Sequence, residues 1–243
     1  MPMAGLGSRF AKMGIKTPKP LIEVDGQNMF LKALSGLDGI NCEKKYTFVV
    51  RREHVDSHSI DKVMKEKVPG ANVVVIEETT RGAVETCLKA EDFIDEKDAV
   101  VVLDSDLYFR SKKYNKFVEN VLQSEDIGNL PLDGVLLSFD STDPRYSYAE
   151  LGDDGFVKRT AEKDPISNNA LVGAYCFASG KIFLEAAKEL MRRNISEKMP
   201  EYYVSYLFNI ILEKGGKITL AKINEYHSFG TPEELEKYNA LNK

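Results

Sequence analysis

The sequence predicts an α/β fold: a single Rossmann-like domain with a mixed, mostly parallel central sheet flanked by helices. Short apolar runs rich in β-branched residues alternate with segments of helical pattern along the 243-residue chain. These runs are apolar without alternation, which is typical of parallel strands that helices cover on both faces. Neither a Pro/Ser-rich linker nor an internal repeat divides the chain, so we expect one domain over residues 1–243.

The first half of the chain predicts the parallel part of the sheet. Residues 46–50, 72–76 and 99–103 read as buried strands, and helical patterns at 54–67 and 82–94 lie between them. Strand, helix and strand at this spacing indicate right-handed crossover connections.

In the second half of the chain the predicted strands and helices no longer alternate regularly. The loop Gly152-Asp153-Asp154-Gly155 lies between two short runs, 146–151 and 156–160, and indicates a β-hairpin. Proline with two acids suits the first turn of a helix, so a final helix should open at Pro232. The other elements we expect are helices at 114–124, 182–193 and 202–214, and strands at 134–139, 171–177 and 217–223.

Composition limits the classes of partner. The chain has 33 Lys and Arg against 38 Asp and Glu, a formal net charge of −5, which disfavours nucleic acid and anionic membrane surfaces. No apolar run approaches the roughly 18–20 residues of a bilayer span, and the first residues lack a signal-peptide layout. Three dispersed cysteines, Cys42, Cys87 and Cys176, fit buried thiols in a reducing compartment. We therefore expect a cytoplasmic protein with no nucleic-acid and no membrane partner.

The chain opens on a glycine-rich segment, Met3-Ala4-Gly5-Leu6-Gly7-Ser8-Arg9-Phe10. A glycine-rich turn before a helix exposes backbone N–H groups that can bind phosphate. Phe10 stands where the dinucleotide fingerprint needs its third glycine, and no Gly-Lys-Ser/Thr follows, so neither standard nucleotide motif is present. A plain turn is the alternative.

Pro18-Lys19-Pro20 places one lysine between two prolines, which restrict the backbone around it. Arg9 and Lys19 together would offer two positive charges to a triphosphate. The alternative is a surface loop with a solvated lysine.

Asp104-Ser105-Asp106 follows the predicted strand 99–103, at the strand end where open α/β sheets bind ligands. Carboxylates at such a place suit a hard cation such as Mg²⁺. The alternative is an aspartate that caps the next helix.

These segments, taken with four more in the same chain, resemble the sugar-phosphate nucleotidyltransferases, also called nucleoside-diphosphate-sugar pyrophosphorylases. Their order agrees with that family, and they extend over nearly the whole chain. The four further segments are Arg81-Gly82-Ala83, Glu162-Lys163, Val172-Gly173-Ala174-Tyr175 and Gly230-Thr231-Pro232-Glu233.

The resemblance implies a role for each matching residue. Arg9 would contact the triphosphate and Lys19 would lie near the α-phosphorus, as the catalytic pair. Mg²⁺ would bind Asp106, with Asp104 beside it in the sequence. The residues implied to bind the nucleotide are Ala4, Gly5, Gly7, Ser8, Gly82 and Ala83, and those implied for the acceptor are Glu162, Lys163 and Gly173.

The reaction that the resemblance implies is transfer of NMP from an NTP to a phosphorylated small molecule, with release of pyrophosphate. The acceptor would most often be a sugar 1-phosphate, activated for capsule, lipopolysaccharide or cell-wall assembly. A cytidylyltransferase for a non-sugar phosphate such as phosphocholine, and an inactive nucleotide-binding relative, are the alternatives. The preferred base and the oligomeric state, a homo-oligomer included, are left open.

Two features of the sequence depart from the family pattern, and a third segment matches the pattern but has a second explanation. Many relatives carry a second metal-binding aspartate where this chain has Ser228. Either Asp104, Glu225 or a water compensates for it, or the metal rests mainly on Asp106 and the phosphates. Relatives also place a strand before the glycine-rich segment, so we expect the start at Met1 to be truncated by a few residues. Tyr202-Tyr203 with Asn209 resembles a segment on the acceptor side, and core packing explains it equally well.

Overall fold

The computed structural model describes residues 1–122, 132–196 and 199–241. It confirms the predicted α/β fold with a mixed central sheet flanked by helices. The chain groups into two compact units. The first unit comprises Met1–Thr80, Leu103–Arg110 and Asn224–Lys243, and the second comprises Arg81–Val102 and Ser111–Ile223. One nucleotidyltransferase domain over residues 1–243 stays a prediction.

The first unit contains short strands and short helices. Its strands are β1 Glu23–Val24, β2 Gln27–Asn28, β3 Thr47–Arg51, β4 Asn72–Ile76, β6 Leu107–Arg110 and β12 Glu225–Ser228. Its α-helices are α1 Ser8–Lys12, α2 Met29–Leu34, α3 Arg52–His58, α4 Ile60–Lys67 and α9 Pro232–Leu241, and 3₁₀ turns cover Lys19–Leu21 and Ser35–Leu37.

Parallel pairing around β3 organises the start of the chain. β3 and β4 run parallel in register from Thr47–Asn72 to Arg51–Ile76, as their apolar runs predict. Met1 to Met3 lie along the other edge of β3, where Met3 N donates to Val49 O at 2.9 Å and Val49 N donates to Met1 O at 3.2 Å. The glycine-rich segment therefore leaves from the end of an extended, paired stretch of backbone.

Two apolar clusters stabilise the first unit, because each removes large side chains from water. One joins the start of the chain to β3 and α4, and consists of Met3, Phe30, Phe48, Val50, Ile60, Met64 and Val68. The other joins α1, β6 and α9, and consists of Phe10, Val24, Met29, Tyr108, Phe229, Leu235 and Tyr238. The second cluster adjoins two of the predicted site residues, because the Phe10 ring centroid lies 5.4 Å from Lys19 Nζ and Phe229 N donates to Asp106 O.

The second unit is built on a larger sheet. Its strands are β5 Val100–Leu103, whose last residue belongs to the first unit, β7 Gly134–Asp140, β8 Ser147–Leu151, β9 Val157–Glu162, β10 Asn169–Phe177 and β11 Ile218–Lys222. The strand order is β11-β7-β10-β8-β9, and β5 also pairs with β10. β11 is parallel to β7, whereas β10 is antiparallel to β7 and β8, and β8 and β9 form the predicted antiparallel hairpin. The sheet is mixed as predicted, but three of these four ladders are antiparallel, because hairpin and meander connections replace helical crossovers in this half of the chain.

Helices α5 Ala83–Leu88, α6 Lys112–Leu122, α7 Gly180–Arg192 and α8 Ser205–Glu213 complete the second unit, with a 3₁₀ turn at Glu91–Phe93. Phe177, Phe183 and Phe208 pack together at the centre of its core, and all three are fully buried. None of the helices in the described parts of the chain combines the length and apolar character needed to cross a membrane.

Several helix boundaries differ from the sequence prediction. The pattern at 54–67 forms two helices, because Ser59 adopts a left-handed conformation (φ 50°) that redirects the chain and lets Ile60 and Met64 enter the core. Likewise, 82–94 is divided between α5 and a 3₁₀ turn, and 202–214 is helical only from Ser205. Residues 123 and 124 of the helix predicted at 114–124 lie outside the described residues.

Candidate active site

The glycine-rich loop is exposed and held at its far end by α1. Gly7 adopts a left-handed conformation (φ 59°), and its carbonyl accepts hydrogen bonds from Phe10 N and Ala11 N. A methyl group on Gly5 would meet no atom within 4 Å, and one on Gly7 would lie 3.6 Å from Lys19 Cβ. Ala4 is buried beneath the loop, whereas Ser8 is exposed. The loop backbone is thus open to a ligand and adjacent to Lys19.

The Lys19 ammonium group contacts two residues that are distant in the sequence, Asp106 and Gly230. The backbone of this lysine begins a 3₁₀ turn, in which Pro18 O accepts from Leu21 N at 2.8 Å. Its Nζ lies 2.5 Å from Asp106 Oδ2 and 3.4 Å from the carbonyl oxygen of Gly230. The lysine side chain is 18% exposed, so its ammonium group is largely shielded from bulk water.

Arg9 approaches the same turn. Its Nη1 donates to the Gly230 carbonyl oxygen at 3.5 Å, at the long end of hydrogen bonding, and the residue is otherwise exposed. The first unit therefore brings Arg9 and Lys19 to one carbonyl group, with Asp106 paired to Lys19, although Asp106 and Gly230 lie far from the two cations in the sequence. Two cations beside a partly exposed carboxylate form an arrangement that can receive phosphate and a divalent cation.

The backbone of Asp106 is held by the residue that follows β12. Phe229 N donates to Asp106 O at 2.7 Å, and Ser228 pairs with Leu107 at the end of the antiparallel β6–β12 ladder. The Asp106 side chain is 31% exposed. Asp104 comes directly after β5 and is half-buried.

The hydroxyl of Ser228 has an acidic partner that sequence analysis missed. Ser228 Oγ donates to Glu234 Oε2 at 2.8 Å. Glu234 also closes the start of α9, because Thr231 N donates to Glu234 Oε2 and Glu234 N donates to Thr231 Oγ1, each at 3.2 Å. This reciprocal pair is a capping box, and its Thr-x-x-Glu spacing is visible in the sequence.

Glu225, one of the residues considered as compensation for Ser228, has partners of its own. Its carboxylate lies 3.1 Å from His227 Nε2 and 3.7 Å from Arg110 Nε. In the described residues, no group of three or more His, Cys, Asp or Glu side chains converges as a metal-binding cluster.

In the second unit, Gly82 lies against the backbone of Tyr202. Tyr202 N donates to Arg81 O at 2.9 Å, and Val84 N donates to Tyr202 O at 3.0 Å. Gly82 has φ 142°, and an added Cβ would lie 2.6 Å from Tyr202 N and 2.7 Å from Tyr202 O. Only glycine fits this conformation and this approach. Ala83 follows as the first residue of α5 and is half-buried.

We expect Gly82→Ala to destabilise the protein by about 2 kcal/mol or more, since the backbone strain adds to a clash with main-chain atoms. Thermal unfolding of the purified variant measures this loss. Gly70→Ala is the matched control, because Gly70 also has positive φ (83°) but an added Cβ would meet nothing within 4 Å. An equal loss in both variants would show that strain alone, without the Tyr202 contact, sets the cost.

Glu162 ends β9 and is held by two serine hydroxyls. Ser147 Oγ, opposite it on β8, and Ser205 Oγ, 2.9 Å away at the start of α8, both donate to Glu162 Oε2. Burial raises the pKa of the Glu162 carboxyl, and the two hydroxyl donors partly oppose that rise. A carboxylate fixed in this way can accept hydrogen bonds from ligand hydroxyl groups.

Lys163 follows Glu162 in a left-handed conformation (φ 56°). Its Nζ donates to the hydroxyl oxygen of Tyr203 at 2.7 Å. Gly173 is buried within β10, in the stretch between Leu171 and Tyr175 where the register against β7 shifts. The second unit therefore brings Glu162 and Lys163 to one end of β9, with Gly173 two strands away in the same sheet.

The Tyr202–Asn209 segment contains both packing and polar residues. Tyr202 belongs to the core and is 2% exposed. The Asn209 side chain pairs with the backbone of Thr160, accepting from its N–H at 2.7 Å and donating to its carbonyl at 2.9 Å. Tyr203 alone of the three contacts a predicted acceptor residue through its side chain, in the structure as described.

Solved structures of other proteins share this architecture. The nucleoside-diphosphate-sugar pyrophosphorylase of Vibrio cholerae RC9 superposes with a TM-score of 0.78 at 25% identity, over 98% of this chain and 99% of that one. The inositol-1-phosphate CTP transferase of T. maritima shares the fold, with a TM-score of 0.70 at 14% identity, over 100% of this chain and 93% of that one.

A curated relative and a family model match the sequence itself. The bifunctional protein GlmU of Campylobacter concisus is 24% identical over 241 residues, which are 96% of this chain and 50% of the relative. The chain thus spans about half the length of that curated relative. The nucleotidyl transferase family model matches residues 3–209, so the resemblance seen in the sequence is confirmed, and this chain belongs to the nucleotidyl transferase family.

Proposed function

We propose that this protein transfers NMP from an NTP to a sugar 1-phosphate and releases pyrophosphate. The observation that carries the proposal is the approach of both Arg9 and Lys19 to the Gly230 carbonyl, with Asp106 paired to Lys19. The pyrophosphorylase name of the V. cholerae neighbour, which is similar over nearly its whole length, supports the same reaction class.

The chemistry of the reaction accounts for this choice of residues. A phosphate oxygen of the acceptor attacks the α-phosphorus of the NTP, and pyrophosphate leaves in line on the opposite side. Both reactants are anions, so their mutual repulsion is the main obstacle, and fixed positive charge lowers it. We assign Lys19 to the α-phosphate and Arg9 to the triphosphate, with the backbone of Ala4, Gly5, Gly7 and Ser8 against its oxygens.

The second unit supplies the remaining binding groups in this proposal. We assign the backbone of Gly82 and Ala83, which is fixed by the close approach of Gly82 to Tyr202, to the nucleobase. Glu162 binds acceptor hydroxyls and Lys163 binds the acceptor phosphate. Gly173, which has no side chain, leaves space for the acceptor ring.

Magnesium fits the donor atoms of the first unit. Mg²⁺ is commonly bound through one or two carboxylates together with substrate phosphates, so it needs no all-protein cage. Asp106, with a partly exposed carboxylate, would hold it, and Asp104 is the second carboxylate nearby in the sequence. The metal would neutralise phosphate charge there. Lys19 shares Asp106 Oδ2 in the structure, so we expect the metal and the lysine to share this carboxylate.

We also propose a cytoplasmic location and a role in activating sugars for capsule, lipopolysaccharide or cell-wall assembly. NTP substrates are cytoplasmic metabolites, and Cys87 and Cys176 are buried and form no disulfide in the described residues, as in proteins of reducing compartments. A homo-oligomeric state stays a prediction.

A pyrophosphate-release screen tests the function. The four NTPs and dTTP are each combined with Mg²⁺ and a panel of sugar 1-phosphates, phosphocholine and other phosphorylated alcohols. We expect release with one base and a sugar 1-phosphate. Release with phosphocholine alone would favour the cytidylyltransferase alternative. NTP that raises the unfolding temperature without any release would contradict catalysis and favour a binding protein.

A further inference from the structure

We propose that Tyr203 is a positioning residue for Lys163, whose hydroxyl and ring together fix the lysine ammonium group for the acceptor phosphate. The inference rests on the proposed function, which assigns that phosphate to Lys163. Nothing in the proposed reaction itself requires a tyrosine here, so the assignment depends on the contacts that follow.

Tyr203 contacts the Lys163 ammonium group in two ways. Lys163 Nζ donates to the Tyr203 hydroxyl oxygen at 2.7 Å, and the same nitrogen lies 4.9 Å from the centroid of the ring. An exposed lysine has a flexible four-carbon stem and ordinarily samples many rotamers. A hydrogen bond and a cation–π contact from one side chain restrict that freedom.

The backbone of Lys163 is fixed where it leaves the sheet. Its N–H donates to Tyr146 O at 2.9 Å, which extends the β8–β9 ladder by one residue beyond the Ser147–Glu162 pair. Lys163 then takes φ 56°, a left-handed conformation that is uncommon for residues other than glycine. Such conformations persist where surrounding contacts hold them, and they are frequent at functional sites.

Tyr203 is equally well anchored through its main chain. Its neighbour Tyr202 is buried and hydrogen-bonded to Arg81 and Val84 on both sides of Gly82. Tyr203 N donates to Glu201 O at 3.1 Å, and Tyr203 O accepts from Tyr206 N at 3.3 Å. None of these bonds uses the Tyr203 side chain, so its replacement should leave the segment in place.

The charges of the pair agree with this role. The hydrogen bond to Tyr203 raises the pKa of Lys163, which keeps the ammonium group charged. Burial raises the pKa of Tyr203, so its hydroxyl stays neutral and able to accept from the lysine. Lys163 is therefore a held cation, ready for an anionic ligand.

Kinetics of Tyr203→Phe test the proposal first. This variant keeps the ring and removes the hydroxyl, so we expect the acceptor KM to rise about tenfold, the usual effect of losing a hydrogen bond to a charged group. The kcat and the KM for NTP should stay within about threefold of the wild type. The lost interaction stabilises the bound acceptor equally in the ground state and in the transition state, so its loss raises the acceptor KM alone. Tyr203→Leu removes the ring as well and should raise the acceptor KM further.

Tyr46→Phe is the matched control. It loses the same hydroxyl group from a tyrosine of the first unit to which the proposed reaction assigns no role. We expect all three kinetic parameters to be unchanged. If Tyr203→Phe behaves like this control, or lowers only kcat and the unfolding temperature, then Tyr203 is structural and the proposal is wrong.

Acetylation of Lys163 by acetic anhydride gives a readout that needs no turnover. In Tyr203→Phe the pKa of Lys163 should fall, so that a larger fraction of the amine is neutral at pH 9. The rate of Lys163 acetylation should then rise several-fold relative to wild type. Mass spectrometry measures this rate, with the exposed Lys158 as the internal reference. An unchanged rate would overturn the positioning role. A raised rate in a protein that releases no pyrophosphate would support the role of Tyr203 while refuting the proposed function.

Discussion

Replacing Asp106 with alanine should reduce pyrophosphate release by about 10³-fold or more and leave the fold intact. A metal ion supplies several kcal/mol of charge stabilisation in such reactions, and each 1.4 kcal/mol is a factor of about ten in rate. The fold should persist because Phe229 N bonds to the main-chain oxygen of Asp106, which alanine retains. Steady-state assays over a Mg²⁺ titration, with thermal unfolding beside them, measure both effects.

The same substitution should change how the protein responds to metal. Wild-type protein with NTP should unfold at a higher temperature when Mg²⁺ is added, whereas the Asp106→Ala variant should show little further shift. Asp38→Asn is the charge-matched control, since Asp38 is an exposed acid of the first unit far along the chain from Asp106. An Asp106 variant with near-normal rates would remove this residue from the proposed metal site.

The fold was predictable where local pattern determines local structure. Apolar runs without alternation identified β3, β4 and β5, and the Gly152–Gly155 loop identified the β8–β9 hairpin. The β6–β12 ladder was not predictable, because it pairs residues more than a hundred positions apart and both strands are short. The break at Ser59 was also missed, since a left-handed serine inside a helical pattern leaves no compositional signal.

Some residues of the candidate site could likewise be identified from the sequence, and others could not. Asp106 could be found from its place after a buried strand, and Lys19 from its flanking prolines. The sequence could not identify the carbonyl of Gly230, because a backbone oxygen has no sequence signature. Both Lys19 and Arg9 approach this carbonyl. Tyr203 stood in a segment that core packing explained equally well. Its partial exposure and its hydrogen bond with Lys163 distinguish Tyr203 from the buried Tyr202, and neither can be read from the sequence.

Lys19→Ala should lower kcat by about 10²–10³, or about 3–4 kcal/mol, as expected for loss of one preorganised charge-stabilising donor. The lysine is held by Asp106 and Gly230 before substrate arrives, so its charge needs little reorganisation during the reaction. The KM for NTP should change much less than kcat, because the charge at the α-phosphorus is greatest in the transition state. Pyrophosphate-release kinetics at saturating acceptor measure both parameters.

Two further variants separate charge from geometry at this position. Lys19→Arg keeps the positive charge but replaces a compact ammonium group with a planar guanidinium, so it should restore only part of the rate. Lys16→Ala removes an exposed lysine from the same loop and should leave kcat unchanged. If Lys19→Ala loses less than tenfold, the Lys19–Asp106 pair is a structural ion pair. If it loses the expected rate with an unaltered unfolding temperature, the pair positions charge for phosphoryl transfer, because a part-buried ion pair kept for stability would lower that temperature when broken.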